Sequence, residues 1–305
     1  MLQRYLFADH SQVYFLGRSD VMGERYKKCR DAKTLSIIDE AVWAEPSKPD
    51  VDMCRRRYEE IKRTASENHQ IPLFSMETLS LNTRGWRATR AQNLRRILGR
   101  SKILITVRHP IELVRSVYSQ YIKRELIFSP PGEVARLLDI NQWIINGFQK
   151  SHTPPACHLD YAHTIRTYAN QFGKGAVYVA VFEELEENSN HFISSLCRFL
   201  GIDAKEGLKL TGNRRANVRL SPANLEALRS MRRSPLKAIR FRYAKPPKRM
   251  QMIGMTEAAF SEGTKKAKER IDDDLIANVE QLTSNGNRML ANEWGLPLEK
   301  YGYPL

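Results

Sequence analysis

Two hydrophobic patterns alternate along this chain. Short apolar runs rich in β-branched residues at 71–79, 102–107 and 176–182 predict strands. Longer stretches with a charged face predict helices over 50–68, 84–99, 110–124, 158–173 and 186–200. Asp50 or Asp52 stands as N-cap for the first of these, and Gly99 and Gly173 stand where two others should stop. Pro130-Pro131 opens a further helix running to about 148, since proline is well placed in a first turn. Residues 2–9 read as the end of a helix, 18–46 as a mixed stretch with a helix around 35–44, and 264–293 as a last helical segment. Strands alternating with helices predict an α/β fold, a parallel sheet flanked by helices on both faces. One domain over 1–305 accommodates all of this, with 229–250 as a basic linker or lid and 251–305 packing back onto the core.

The run 103–118 carries the most specific chemistry. A buried strand ends at Val107 and is followed by Arg108 and then by a helix opened by Pro110, with Ser116 eight residues after the arginine. An arginine offers a planar fork of donors, and a helix start offers unpaired N–H groups and the positive end of the dipole. Together they suit a phosphate, to which Ser116 could add a hydroxyl. An ordinary strand–helix unit with a surface arginine is the competing reading.

Charge narrows the partners. The net charge is +15, and nine Lys and Arg but no acid fall between Arg229 and Arg249. Such an excess suits an anionic partner: a nucleotide, an acidic or sulfated glycan, a nucleic acid or a membrane surface. Phe241 and Tyr243 interleave the basic stretch, which is compatible with a solvated or substrate-covering lid, glycan binding or single-stranded nucleic acid, in that order. No recognised nucleic-acid motif is present. No apolar run reaches the roughly 18 residues of a membrane span, and the first residues are too polar for a signal peptide. Cys29, Cys54, Cys157 and Cys197 are widely spaced with no zinc pattern, Cys197 reads as core, and a reducing, cytoplasmic compartment is expected.

The Arg108–Pro110–Ser116 run resembles the 3′-phosphate-binding signature of sulfotransferases that use 3′-phosphoadenosine 5′-phosphosulfate (PAPS). His109 stands where that family often has Asp or Asn. Residues 176–185, ending Phe182-Glu183-Glu184-Leu185, resemble the family's later core strand, and Phe199-Leu200-Gly201 resembles the end of the next helix. The tail 298–304 resembles that of bacterial members. The resemblance implies a P-loop NTPase-like sulfotransferase fold and PAPS as co-substrate, with no metal. It makes Arg108 and Ser116 the cofactor-binding pair. It implies transfer of a sulfuryl group to a hydroxyl or amine of a carbohydrate or lipid-linked acceptor.

One family feature has no counterpart. The 5′-phosphosulfate loop, Lys-x-Gly-Thr-Thr-Ser, occurs nowhere in this sequence, and the opening residues resemble the helix that follows that loop. Either the chain starts late, at an internal methionine, or it is a natural variant without the loop. The first is preferred, because losing the first core strand exposes a sheet edge. The alternative function is a non-catalytic nucleotide- or anion-binding protein. Glu77, after the apolar run 71–76, is the candidate catalytic base, against a role as a cap or ion-pair partner. Arg214 and Arg215, in a basic glycine-containing loop, are candidates for closing over the nucleotide, against a solvated turn. His109 reads as structural, and His158 and His163 do not form a pair.

Overall fold

A computed structural model describes residues 2–18, 34, 37, 40, 50–76, 79–81, 86–127, 138–150, 153–212, 227, 234–252 and 269–305. The opening helical turn α1 (Leu2–Phe7) leads into β1 (Val13–Arg18). Next come α2 (Val51–Glu67), β2 (Ile71–Ser75), α3 (Arg87–Leu98), β3 (Ile103–Val107) and α4 (Pro110–Ile127). Helices α5 (Ile140–Phe148), α6 (Ala156–Leu159) and α7 (Tyr161–Phe172) precede β4 (Val177–Val181). After β4 come α8 (Phe182–Glu187), α9 (Ser189–Leu200) and α10 (Ala204–Thr211). Helices α11 (Pro235–Tyr243), α12 (Pro246–Met252) and α13 (Asp273–Trp294) close the series.

The fold is α/β, mostly helical, with small parallel sheets. Strand β1 pairs with β2, with Val13 opposite Ile71 and Phe15 opposite Leu73. Strand β3 pairs with β4, with Ile103 opposite Val177 and Val107 opposite Val181. Among the described residues each sheet has two strands, both pairs parallel. Side chains alternate across a strand, so one face of the second sheet sends Ile105, Val107, Val179 and Val181 into a core with Cys54, Tyr58, Leu94, Ile165 and Leu290. The other face sends Ala180, with Leu104 and Tyr178 alongside, into a core with Leu6, Phe192, Leu196 and Cys197. Both faces are covered by helices, as expected of a parallel sheet. Cys197 is fully buried, as its setting predicted.

Several helices differ in detail from the pattern reading, each for a local reason. The segment Val13–Arg18 extends as β1, its β-favouring Val13-Tyr14-Phe15 run paired in parallel with β2. The expected helix 158–173 is two helices: Asp160 ends α6 and caps α7, accepting from His163 N at 3.2 Å. The helix expected over 186–200 already starts at Phe182 and breaks at Asn188, whose side chain accepts from His191 N at 3.0 Å to start α9. Asp139 starts α5 at Ile140, accepting from Gln142 N at 2.9 Å, while 128–137 lie outside the described residues. Within 229–250, Pro235 and Pro246 open α11 and α12, a first-turn position that suits proline.

Helix α5 ends against the chain that follows it. A Cβ added at Gly147 would collide with Pro154 O and Pro155 Cδ. Neither atom belongs to a side chain that can rotate away, so Gly147→Ala is expected to destabilise the protein by about 3 kcal/mol, read as a lower urea midpoint at unchanged slope.

Candidate functional site

The site begins where β3 ends. Arg108 and His109 lie between Val107, the last residue of β3, and Pro110, the first of α4. Val107 is fully buried opposite Val181 of β4, which fixes the strand end and brings the first turn of α8 alongside Arg108. The Arg108 guanidinium sits 4.5 Å from the centroid of the Phe182 ring. A flat aromatic face beneath a guanidinium holds it by cation–π attraction and leaves its edge for an oxygen ligand.

Glu183 ties the corner together. Its Oε1 accepts from the His109 main-chain N–H at 3.0 Å, and its Oε2 accepts from the Tyr303 hydroxyl at 2.8 Å. His109 Nε2 donates to Gly302 O at 2.9 Å, and its ring meets Tyr303 edge-on at 5.3 Å. The Arg108 main chain hydrogen-bonds the Tyr161 phenol. Burial raises the Tyr161 pKa, the Glu183 charge raises it further, and Arg108 opposes both. Burial followed by Glu183 likewise raises Tyr303. Both phenols therefore stay protonated, and Tyr303 donates to the carboxylate. The tail is pinned to α8 a second time by Lys300, whose Nζ reaches Glu187 at 2.6 Å, while Tyr301 donates to the same carboxylate.

Three stretches singled out by pattern thus meet at one point: the β3–α4 corner, the Phe182-Glu183 start of α8 and the 298–304 tail. His109, read as structural, is held by the tail and by Glu183. Ser116 is partly exposed on α4. It follows His109 by seven residues, two helical turns and about 10 Å of rise, on the face that continues from the Arg108 corner. Nearby charge on α4 is matched, since Arg115 Nη1 pairs with Glu112 at 2.8 Å. Glu77, Arg214 and Arg215 lie outside the described residues.

Phe182, Glu183, Tyr161 and Tyr303 were not foreseen as parts of this corner. Phe182, Glu183 and Tyr303 lay within the quoted stretches, but no spacing in the sequence says that a tail residue 120 positions away hydrogen-bonds Glu183. Two further arginines, in the helix predicted over 84–99, are buried. Arg87 and Arg90 of α3 are 2% and 3% exposed, and Arg87 Nη1 reaches Asp160 at 2.9 Å. Their signal was the spacing Arg87, Arg90, Leu94, Ile97, which puts both on the buried stripe. His158 is buried enough to lower its pKa to about 4, so it is neutral near pH 7. Cys54, Cys157 and Cys197 are buried thiols whose pKa burial raises to about 11. Among the described residues no group of His, Cys, Asp and Glu is placed to hold a metal ion, and no helix is long and apolar enough to cross a membrane.

No family model matches this sequence, and no curated protein matches it. Among solved structures the chain is similar to a crystal structure of a sulfotransferase from Alicyclobacillus acidocaldarius. The identity is 17%, the match covers 86% of this chain and 93% of that one, and the TM-score is 0.43.

Proposed function

We propose that this chain is a PAPS-dependent sulfotransferase whose β3–α4 corner takes the 3′-phosphate of the donor. The observation that supports the reading is the meeting, at the Arg108–His109 corner, of three of the stretches that resemble that family. In this reading Arg108 presents its guanidinium edge, backed by Phe182, and Ser116 adds a hydroxyl from α4. A hydroxyl or amine of a carbohydrate or lipid-linked acceptor attacks sulfur in line. The new bond to sulfur forms as the sulfur–oxygen bond to the 5′-phosphate breaks, releasing adenosine 3′,5′-bisphosphate. Glu77, two residues beyond β2 in sequence, takes the acceptor's proton, and Arg214 and Arg215 close over the nucleotide. Positioning and charge stabilisation, rather than new covalent chemistry, are what such a transfer asks of a protein.

A second reading rests on a specific absence. The sequence contains no Lys-x-Gly-Thr-Thr-Ser loop, so a protein that binds the 3′-phosphate without turnover is the alternative.

Calorimetric titration separates these readings from neither being right. Adenosine 3′,5′-bisphosphate should bind at least roughly tenfold more tightly than adenosine 5′-monophosphate, the worth of one charge-assisted phosphate contact. Equal affinities contradict both readings. Transfer of labelled sulfate from PAPS, abolished by Glu77→Gln with bisphosphate affinity intact, selects the enzyme; binding without transfer selects the alternative.

A further inference from the structure

Helix α11 is anchored on one side and bare on the other. Phe241 is 5% exposed and packs in a core with Ile111, Val114, Trp143 and Val279. The fully buried Arg249 of α12 donates from Nε to Phe241 O at 3.2 Å and from Nη2 to Arg242 O at 3.0 Å, capping the last carbonyls of α11. The helix is therefore fixed to the body of the protein. Its opposite face carries Leu236, Ile239 and Tyr243, which are 81%, 57% and 63% exposed. At 3.6 residues per turn these three share one stripe, centred about half a turn from Phe241.

Basic side chains border that stripe. Arg242 lies on one side and Arg240 and Lys237 on the other, with Lys245 and Lys248 just beyond; all five are exposed. No Asp or Glu occurs anywhere between Glu226 and Glu257.

We propose that α11 is a docking surface for an anionic lipid bilayer, lying in the plane of the interface. Leu236 and Ile239 enter the acyl boundary, Tyr243 sits at headgroup depth, and the flanking Lys and Arg contact lipid phosphates. This is the pattern of an interfacial helix: a narrow apolar stripe, a cationic border and low overall hydrophobicity. Nucleic acid would use the cations but leave the aliphatic pair in water, where neither leucine nor isoleucine can stack on a base. A second copy of this chain would bring one cationic border against another. The inference is independent of the nucleotide site, which lies on other elements.

The test is co-sedimentation of the full chain with phosphatidylcholine vesicles, with and without one-third phosphatidylglycerol. Binding is expected to the anionic vesicles and to weaken with salt. Lys237→Gln and Arg240→Gln should each weaken it about fivefold, and Leu236→Ser roughly tenfold. All three positions are exposed, so unchanged thermal midpoints check that the variants fold. Failure to prefer anionic vesicles overturns the proposal, as does full binding by Leu236→Ser with Ile239→Ser. Tight binding to single-stranded DNA, or self-association, that depends on these residues while vesicles are ignored also overturns it.

Discussion

Arg108→Ala should weaken binding of adenosine 3′,5′-bisphosphate roughly a hundredfold, the largest loss expected of any single change in this protein. The reason is geometric. The guanidinium lies 4.5 Å from the centroid of the Phe182 ring, which seats it at the corner. A bidentate, charge-assisted pair with phosphate loses both bonds at once. Arg108→Lys keeps the charge but not the planar fork or the stacking, so it should recover only part of the affinity, leaving a deficit of about tenfold. Ser116→Ala removes one neutral donor and should cost about fivefold. Adenosine 5′-monophosphate, which lacks the 3′-phosphate, should be nearly indifferent to all three changes. Calorimetry on the four proteins with both nucleotides measures this pattern. An Arg108→Ala protein with unchanged bisphosphate affinity would falsify the placement of the phosphate.

A stability loss as large as that of Gly147→Ala is expected at Glu183. Its carboxylate accepts from the His109 N–H and the Tyr303 hydroxyl, and it is the negative charge beside Tyr161, Tyr303 and Arg108. Glu183→Ala leaves two donors without an acceptor and removes a neighbouring negative charge from Arg108. Hydrogen bonds to a charged acceptor are worth about 1.5 kcal/mol each, so a loss of about 3 kcal/mol is expected. Glu183→Gln retains a carbonyl oxygen for one donor and should cost about half as much. Tyr303→Phe removes one donor and leaves the carboxylate one bond, costing about 1 kcal/mol. Urea unfolding of the three variants gives this order. Equal stabilities of Glu183→Ala and the wild type would show that the tail is held by its other contacts, such as Asn287 Nδ2 to Pro304 O at 2.9 Å and Lys300 to Glu187.

What could be read from the sequence was whatever a local pattern encodes. The strand–Arg108–Pro110 unit and the strand ending at Phe182 are both apolar runs followed by helix starts, and both fold as read. In α2 the buried residues Val51, Cys54, Tyr58, Ile61 and Ala65 follow helical spacing without a break, and Asp50 caps the helix by accepting from Met53 N at 2.8 Å. What escaped depends on partners far along the chain. β1 has its parallel partner in β2. Glu183 acquires its role from Tyr303, and Asp160 is both the cap of α7 and the partner of buried Arg87. Within the basic stretch 229–250, it is the long-range packing of Phe241 and the buried Arg249 that shows α11 to be docked. Within the candidate site, residue types and spacing nominated Arg108 and Ser116. They did not reveal the aromatic seat, the carboxylate bridge or the tail that hold the arginine's end of the pair.

The most direct measurement is a crystal structure of this protein with adenosine 3′,5′-bisphosphate. The prediction is a 3′-phosphate lying beside the first two turns of α4, with its oxygens about 3 Å from the Arg108 guanidinium and from Ser116 Oγ. A nucleotide bound elsewhere, or one whose 3′-phosphate faces solvent with Arg108 untouched, would contradict it.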